Sequence, residues 1–169
     1  PPNLKSALLT ELQQKIDTIL ISGMDAPSEK VNFVYPKELR KELLEENYRI
    51  FVDFHPDPEV LFRRSLELMQ TKARVGLKLL KENDWDFFII VFNETDVISH
   101  YLQEKMIRKF YEEVDKIIGE FLKEMDEKTT LIVMSDHGNK PYEGVLHINE
   151  ILRDLGILNL KKRTSSDSL

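Results

Sequence analysis

Four short runs dense in Ile, Val, Leu and Phe, "IDTILIS" (16–22), "YRIFVDF" (48–54), "DFFIIVF" (86–92) and "TTLIVMS" (129–135), recur along the chain with longer amphipathic stretches between them. Short apolar runs of this make are how parallel strands buried on both faces read. The intervening stretches carry apolar residues at helical spacing. These are Leu39, Leu43 and Leu44 in "PKELRKELLEE", and Val60, Leu61, Leu68, Val75, Leu79 and Leu80 in "DPEVLFRRSLELMQTKARVGLKLLKEN". A third stretch, 97–125, carries Leu102, Met106, Phe110, Val114, Ile117, Ile118, Phe121 and Leu122; a stripe of this kind is the core-facing side of a helix. Asp57 is placed to cap the second helix, with Pro58 at the first helical position, where its missing N–H costs nothing. Strand alternating with helix predicts an α/β fold: a mainly parallel sheet of about four or more strands, flanked by helices and joined by right-handed crossovers.

At 169 residues the chain has room for one sizeable core, which predicts a single α/β domain over 1–160 followed by a frayed tail, 161–169, whose "KKRTSSDSL" has no apolar periodicity. A net charge of -6 gives no bulk attraction for nucleic acid or for an anionic membrane. No uninterrupted apolar span reaches the ~18 residues a membrane helix needs, and the start, "PPNLKSALLTELQQKID", is amphipathic and charged. A soluble, cytoplasmic protein is expected. There is no cysteine, so disulfides, thiolate nucleophiles and cysteine metal sites are excluded together, and any metal is held by His, Asp or Glu.

In open α/β sheets ligands bind outside the carboxyl ends of the strands, which directs attention to the residues after each apolar run. After the third, Asp96 and His100 stand four apart at the start of a helix, a spacing that puts both side chains on one face, one turn apart. After the fourth come Asp136, His137 and Gly138, and the glycine relaxes a turn in which the two polar side chains converge. Plainer readings stand beside these: Asp96 as a helix cap, Asp136-His137-Gly138 as an ordinary polar turn, and His147 as a cap or edge-of-core residue. His55 in "FHPDPE" reads as structural, and Arg63, Arg64, Lys72 and Arg74 read as the solvated face of the long helix.

The residues also resemble a known family. "DFFIIVFNETDVISHYL", followed by "VDKIIGEFLKEMDEKTTLIVMSDHG", looks like the metal-binding core of the alkaline phosphatase superfamily in its type I phosphodiesterase and nucleotide pyrophosphatase branch, close to the archaeal phosphohydrolases and phosphomutases. "ISGMDAPSEKVNFVYPKELRKELLEENYRIFVDF" resembles the segment that precedes that core. The resemblance implies two divalent ions, zinc or manganese, that activate a hydroxyl nucleophile and hold the phosphoryl group. Carried over residue by residue, Asp96 and His100 would bind one ion and Asp136 and His137 the other, with His147 completing the first site. Imidazole and carboxylate suit such ions.

The family also uses an amino-terminal strand ending in a metal-binding aspartate, and a serine or threonine nucleophile after it. Residues 1–15 offer Ser6 and Thr10 but no apolar strand ending in aspartate. The expectation is therefore an alkaline-phosphatase-like core lacking its amino-terminal part, with the nucleophile unassigned. The implied function is metal-dependent hydrolysis of a phosphodiester or phosphate ester on a small molecule, weak or absent for this chain alone, with a homo-oligomer or a partner chain supplying the missing elements. The alternative is a non-catalytic metal-binding or interaction domain derived from such an enzyme.

Overall fold

The computed structural model of the protein describes residues 18–23, 26, 30–140 and 144–159. Their element order is β1 (Leu20–Ile21), β2 (Val34–Tyr35), α1 (Leu39–Glu45), α2 (Pro58–Glu82), α3 (Glu94–Tyr101), α4 (Glu104–Lys123) and α5 (Ile148–Asp154). The chain divides into two compact units, Pro1–Leu131 and Ile132–Leu169. The expected tail at 161–169 and the candidate nucleophiles Ser6 and Thr10 lie outside the described residues.

The first unit is organised by α2, whose apolar stripe is long enough to serve three clusters. Val75 packs with Phe33, Val34, Leu43 and Ile50 of the β1–β2 and α1 region. Met69 packs with Ile98 of α3 and Phe110 of α4, and Ala73 and Leu80 pack with Phe121 of α4. Phe62 stacks edge-on against Phe110, with ring centroids 5.8 Å apart.

The amino end of α2 forms as its sequence dictates. Asp57 is extended, and its Oδ1 accepts from the Glu59 and Val60 N–H groups at 2.9 and 3.3 Å, with Pro58 at the first helical position. Asp57→Ala is expected to cost about 0.5–2 kcal/mol, read as a lower urea midpoint with an unchanged m-value. At the other end of α1, Asn47 takes a left-handed φ of 55°, so the chain reverses and Tyr48 N–H reaches the Leu43 carbonyl at 2.8 Å. Gly76 matters for a different reason: a Cβ there would lie 2.7 Å from Ile90 Cδ1 and 3.2 Å from Phe121 Cζ. Its bare backbone lets the 86–92 segment and α4 approach α2 together.

The sheet differs from the α/β expectation. The described residues contain one two-stranded sheet, and it is antiparallel, with Leu20 opposite Tyr35 and Ile21 opposite Val34. Of the four apolar runs only the first yields a strand, its residues 16 and 17 lying outside the described residues. The runs at 48–54, 86–92 and 129–135 join no ladder, and the fold is predominantly helical instead of a parallel sheet flanked by helices. The reason is visible at 86–92. This segment alternates as a strand does, with Phe88, Ile90 and Phe92 packed on the Ala73, Leu80 and Phe121 cluster, but Phe87, Ile89 and Val91 stand 80%, 68% and 66% exposed. Period-2 packing requires one neighbour face, whereas a strand requires hydrogen-bonding neighbours at its edges. The helices α2 and α4 supply the face, and no described segment supplies the edge.

The third helical stretch also departs from a single helix over 97–125. It starts earlier, at Glu94, and breaks at Leu102 and Gln103, both extended. The break lets Leu102 turn into the Met69, Ile98 and Phe110 cluster. In the second unit, α5 closes at Gly156, which takes a φ of 70° while Ile157 N–H reaches back to Leu152 at 2.9 Å. Among the described residues no helix is long and apolar enough to cross a membrane.

Candidate functional site

The start of α3 places the first pair of candidate ligands. Glu94 and Ile98, one turn apart, are fully buried against α2, and at 100° per residue this turns Asp96 and His100 to the opposite side of the same short helix. There His100 Nε2 lies 3.3 Å from Asp96 Oδ1, with the two side chains 63% and 43% exposed. Asp96 does not cap the helix. Asn93 holds the cap position, and Asp96 sits within the first turn, which removes the plainest structural explanation for this aspartate. Beside the pair, the His100 and Tyr101 rings lie 6.2 Å apart, and Tyr101 meets Phe54 edge-on at 4.9 Å.

In the second unit, His137 Nε2 lies 3.8 Å from Asp136 Oδ2, with both side chains exposed. His137 Nδ1 is 3.1 Å from the Gly138 carbonyl. A carbonyl only accepts, so in this contact Nδ1 carries a proton and donates, while Nε2 is the nitrogen on the side of the Asp136 carboxylate. A ring anchored through one nitrogen to a backbone carbonyl is the form in which histidine binds a metal through the other. Ser135 Oγ donates to the His137 carbonyl at 2.6 Å and braces the same turn. His147 occupies the cap position of α5: its carbonyl accepts from Glu150 and Ile151 N–H at 3.0 and 3.2 Å, and its imidazole makes no capping hydrogen bond.

Each unit thus carries one carboxylate–imidazole pair, and the donor chemistry of each fits a divalent ion. In neither unit do three described His, Asp or Glu side chains converge on one point, so each pair is a partial ligand set.

Other polar residues fall into place around α2. His55, expected to be structural, accepts the Asp57 N–H through Nδ1 at 3.1 Å. Arg64 donates to the Asp53 carbonyl at 3.1 Å, and Arg74 pairs with Glu46 at 3.2 Å on the surface. A concavity of about 470 Å³ bordered by Arg74, Lys78 and Lys81 looks at first like an anion site. Each of its cations already has a carboxylate partner: Glu46 for Arg74, Glu42 at 2.5 Å for Lys78 and Glu124 at 2.8 Å for Lys81.

Lys72 is the exception to the solvated face expected of this helix. Its ammonium is buried, 2.5 Å from Glu94 Oε1 and 2.6 Å from Asn93 Oδ1, with side-chain exposures of 6% for Lys72 and 0% for Glu94. The Lys72 contact is an ion pair without hydrogen-bond geometry: neither Glu94 oxygen has a hydrogen-bond partner among the described residues, nor does Ser65 Oγ on the same face of α2. A signal for Lys72 was present in the sequence: it stands three residues after Met69 and four after Leu68, inside the apolar stripe. Glu94 carried none beyond its position four before Ile98.

Nearby, burial and the negative charge of Glu94 push the Tyr48 phenol up to about 12 from its usual 10.0. Because the folded value is the higher one, the contribution is fully present below pH 10 and is lost as the pH rises through about 12, the unfolded chain ionising first. Tyr48→Phe, which cannot ionise, is expected to unfold like the parent at neutral pH and to be more stable by about 1–2 kcal/mol towards pH 12, as read by denaturant titrations across that range.

The class is that of a phosphodiesterase- or pyrophosphatase-type hydrolase domain. The chain is a member of the type I phosphodiesterase / nucleotide pyrophosphatase family, whose model matches residues 10–167. The family is generally metal-dependent. Searches of curated proteins and of solved structures find no match.

Proposed function

We propose that this chain is a metal-dependent phosphohydrolase domain acting on a phosphodiester or phosphate ester of a small molecule, with zinc or manganese as the ion. Asp96 and His100 would hold one ion, and Asp136 and His137 another. The observation that carries this reading is the exposed Asp96–His100 pair at 3.3 Å, turned outward by a helix whose opposite face is buried, in a chain that belongs to a phosphodiesterase family. When bound, a divalent ion supplies positive charge for the phosphoryl oxygens and acidifies a water. The residues themselves bind and orient. Asp96 and His100 present one carboxylate and one imidazole from one face of α3, and the His137 ring is oriented through Nδ1 by the Gly138 carbonyl. No residue is assigned as the nucleophile.

The second reading, a metal-binding or interaction domain without turnover, is favoured by one observation: among the described residues each unit offers a pair of ligands, where a catalytic ion takes three protein ligands. Metal analysis of the purified chain, beside hydrolysis of bis(p-nitrophenyl) phosphate and p-nitrophenyl phosphate in zinc and in manganese, separates the two. The hydrolase reading expects turnover that falls at least about 100-fold in Asp96→Ala and in His137→Ala, with bound metal reduced in each. Bound metal without turnover establishes the second reading. A chain that takes up no zinc or manganese on loading overturns both ligand assignments.

A further inference from the structure

We propose that Lys72 and Glu94 are positioning residues for the candidate ligands of α3: their buried ion pair sets the rotation of that helix about its axis and so holds Asp96 and His100 on its outward face. The inference rests on the metal-site reading above for its consequence, and on the packing of α3 for its substance.

The helix has eight residues, Glu94–Tyr101, too few to hold a shape without tertiary contacts. Its inward face consists of Glu94 and Ile98. Ile98 is apolar, and apolar packing is non-directional, so a short helix seated on one isoleucine against Met69 and Phe110 keeps its contact through modest rotation. Lys72 removes that freedom. Its ammonium donates to Asn93 Oδ1 and pairs by charge with Glu94 Oε1 on the next residue, and the two contacts together survive in only one phase of the helix. Asp96 and His100 follow Glu94 by two and six residues, so the contact that holds Glu94 inward places both of them outward.

The energetics point the same way. Burying an ammonium and a carboxylate is costly, and an apolar pair of similar volume is often neutral or stabilising in comparison. Both Glu94 oxygens are without a hydrogen-bond partner among the described residues, which raises that cost. The helix macrodipole favours the Glu94 carboxylate, which lies in the first turn of α3, but disfavours the Lys72 ammonium beside it, so it does not by itself account for the pair. What the pair adds is direction, one of the attested uses of buried polar groups.

The test is the paired variant Lys72→Met with Glu94→Met in the full chain, which keeps the volume and deletes the direction. Denaturant unfolding shows whether the fold survives, hydrogen exchange of the amides from Val97 to Tyr101 reports on α3, and Co²⁺ titration reports on the ligands. A positioning role expects an unfolding midpoint at or above that of the parent, exchange over α3 faster by about tenfold and Co²⁺ affinity weaker by about 10–100-fold. Unchanged exchange with unchanged Co²⁺ affinity overturns the proposal. If the parent chain binds no Co²⁺, the ligand assignments fail and the exchange measurement alone decides the role of the pair. Should the double variant not fold, Glu94→Asp decides, because it keeps the charge and shortens the reach: faster exchange confined to α3 supports positioning, and parent-like exchange overturns it.

Discussion

Lys72→Met alone is expected to lower the unfolding free energy by about 3–5 kcal/mol, a large fraction of the stability of an ordinary domain, about 5–15 kcal/mol. The substitution leaves the methylene stem in place and removes only the charge that answers Glu94. With Lys72 neutralised, a carboxylate 0% exposed loses its cation, and both its oxygens lie in the interior. The carboxylate then either remains charged without compensation or takes up a proton, and both cost free energy. The paired variant with Glu94→Met removes the stranded charge and is expected to recover most of the loss. A double-mutant cycle by urea titration measures the coupling. A single variant as stable as the parent would mean that the pair is not formed in solution.

Phe110→Ala is the second large effect, about 3–5 kcal/mol. Phe110 is 0% exposed and is the α4 member of the cluster that joins α2 through Met69 and α3 through Ile98, with the Phe62 ring set edge-on against it. Truncation loses the transfer energy of the ring and leaves a void that three helices would have to close at once, which packed cores do only in part. Phe110→Leu, which refills most of the space, is expected to recover more than half of the loss. The comparison by thermal or urea unfolding distinguishes a cavity from a general disturbance of α4. Because Ile98 shares the cluster, the alanine variant is also expected to loosen α3, so metal uptake should fall with stability here, whereas the Lys72/Glu94 double variant separates the two.

Helices were legible in the chain because their evidence is local. Asp57 and Pro58 announce the start of α2, and the spacing of Leu61, Leu68, Val75 and Leu80 announces its buried face, all of which the structure shows. Asp96 and His100 were legible for the same reason, since i and i+4 meet on any helix; the structure adds the 3.3 Å contact and excludes the capping role. The break at Leu102 and Gln103 was not legible: no proline or glycine marks it, and it answers to a cluster built from α2, α3 and α4.

The apolar runs show the opposite limit. "DFFIIVF" and "TTLIVMS" have the composition of buried strands, but a strand is defined by the neighbour it bonds to. The described residues offer 86–92 a helical surface on one face and leave Phe87, Ile89 and Val91 exposed. By itself, the sequence determined the capped start of α2 and its apolar stripe, the spacing of the Asp–His pairs and membership of a phosphodiesterase family. Tertiary structure alone decided which apolar runs found a ladder, that Lys72 lies inside instead of on a solvated face, and that Glu94 is its partner. Periodicity is written in neighbouring residues, whereas the ladder partners stand 13 and 15 positions apart and the buried charges 22, separations that only the folded chain brings into contact.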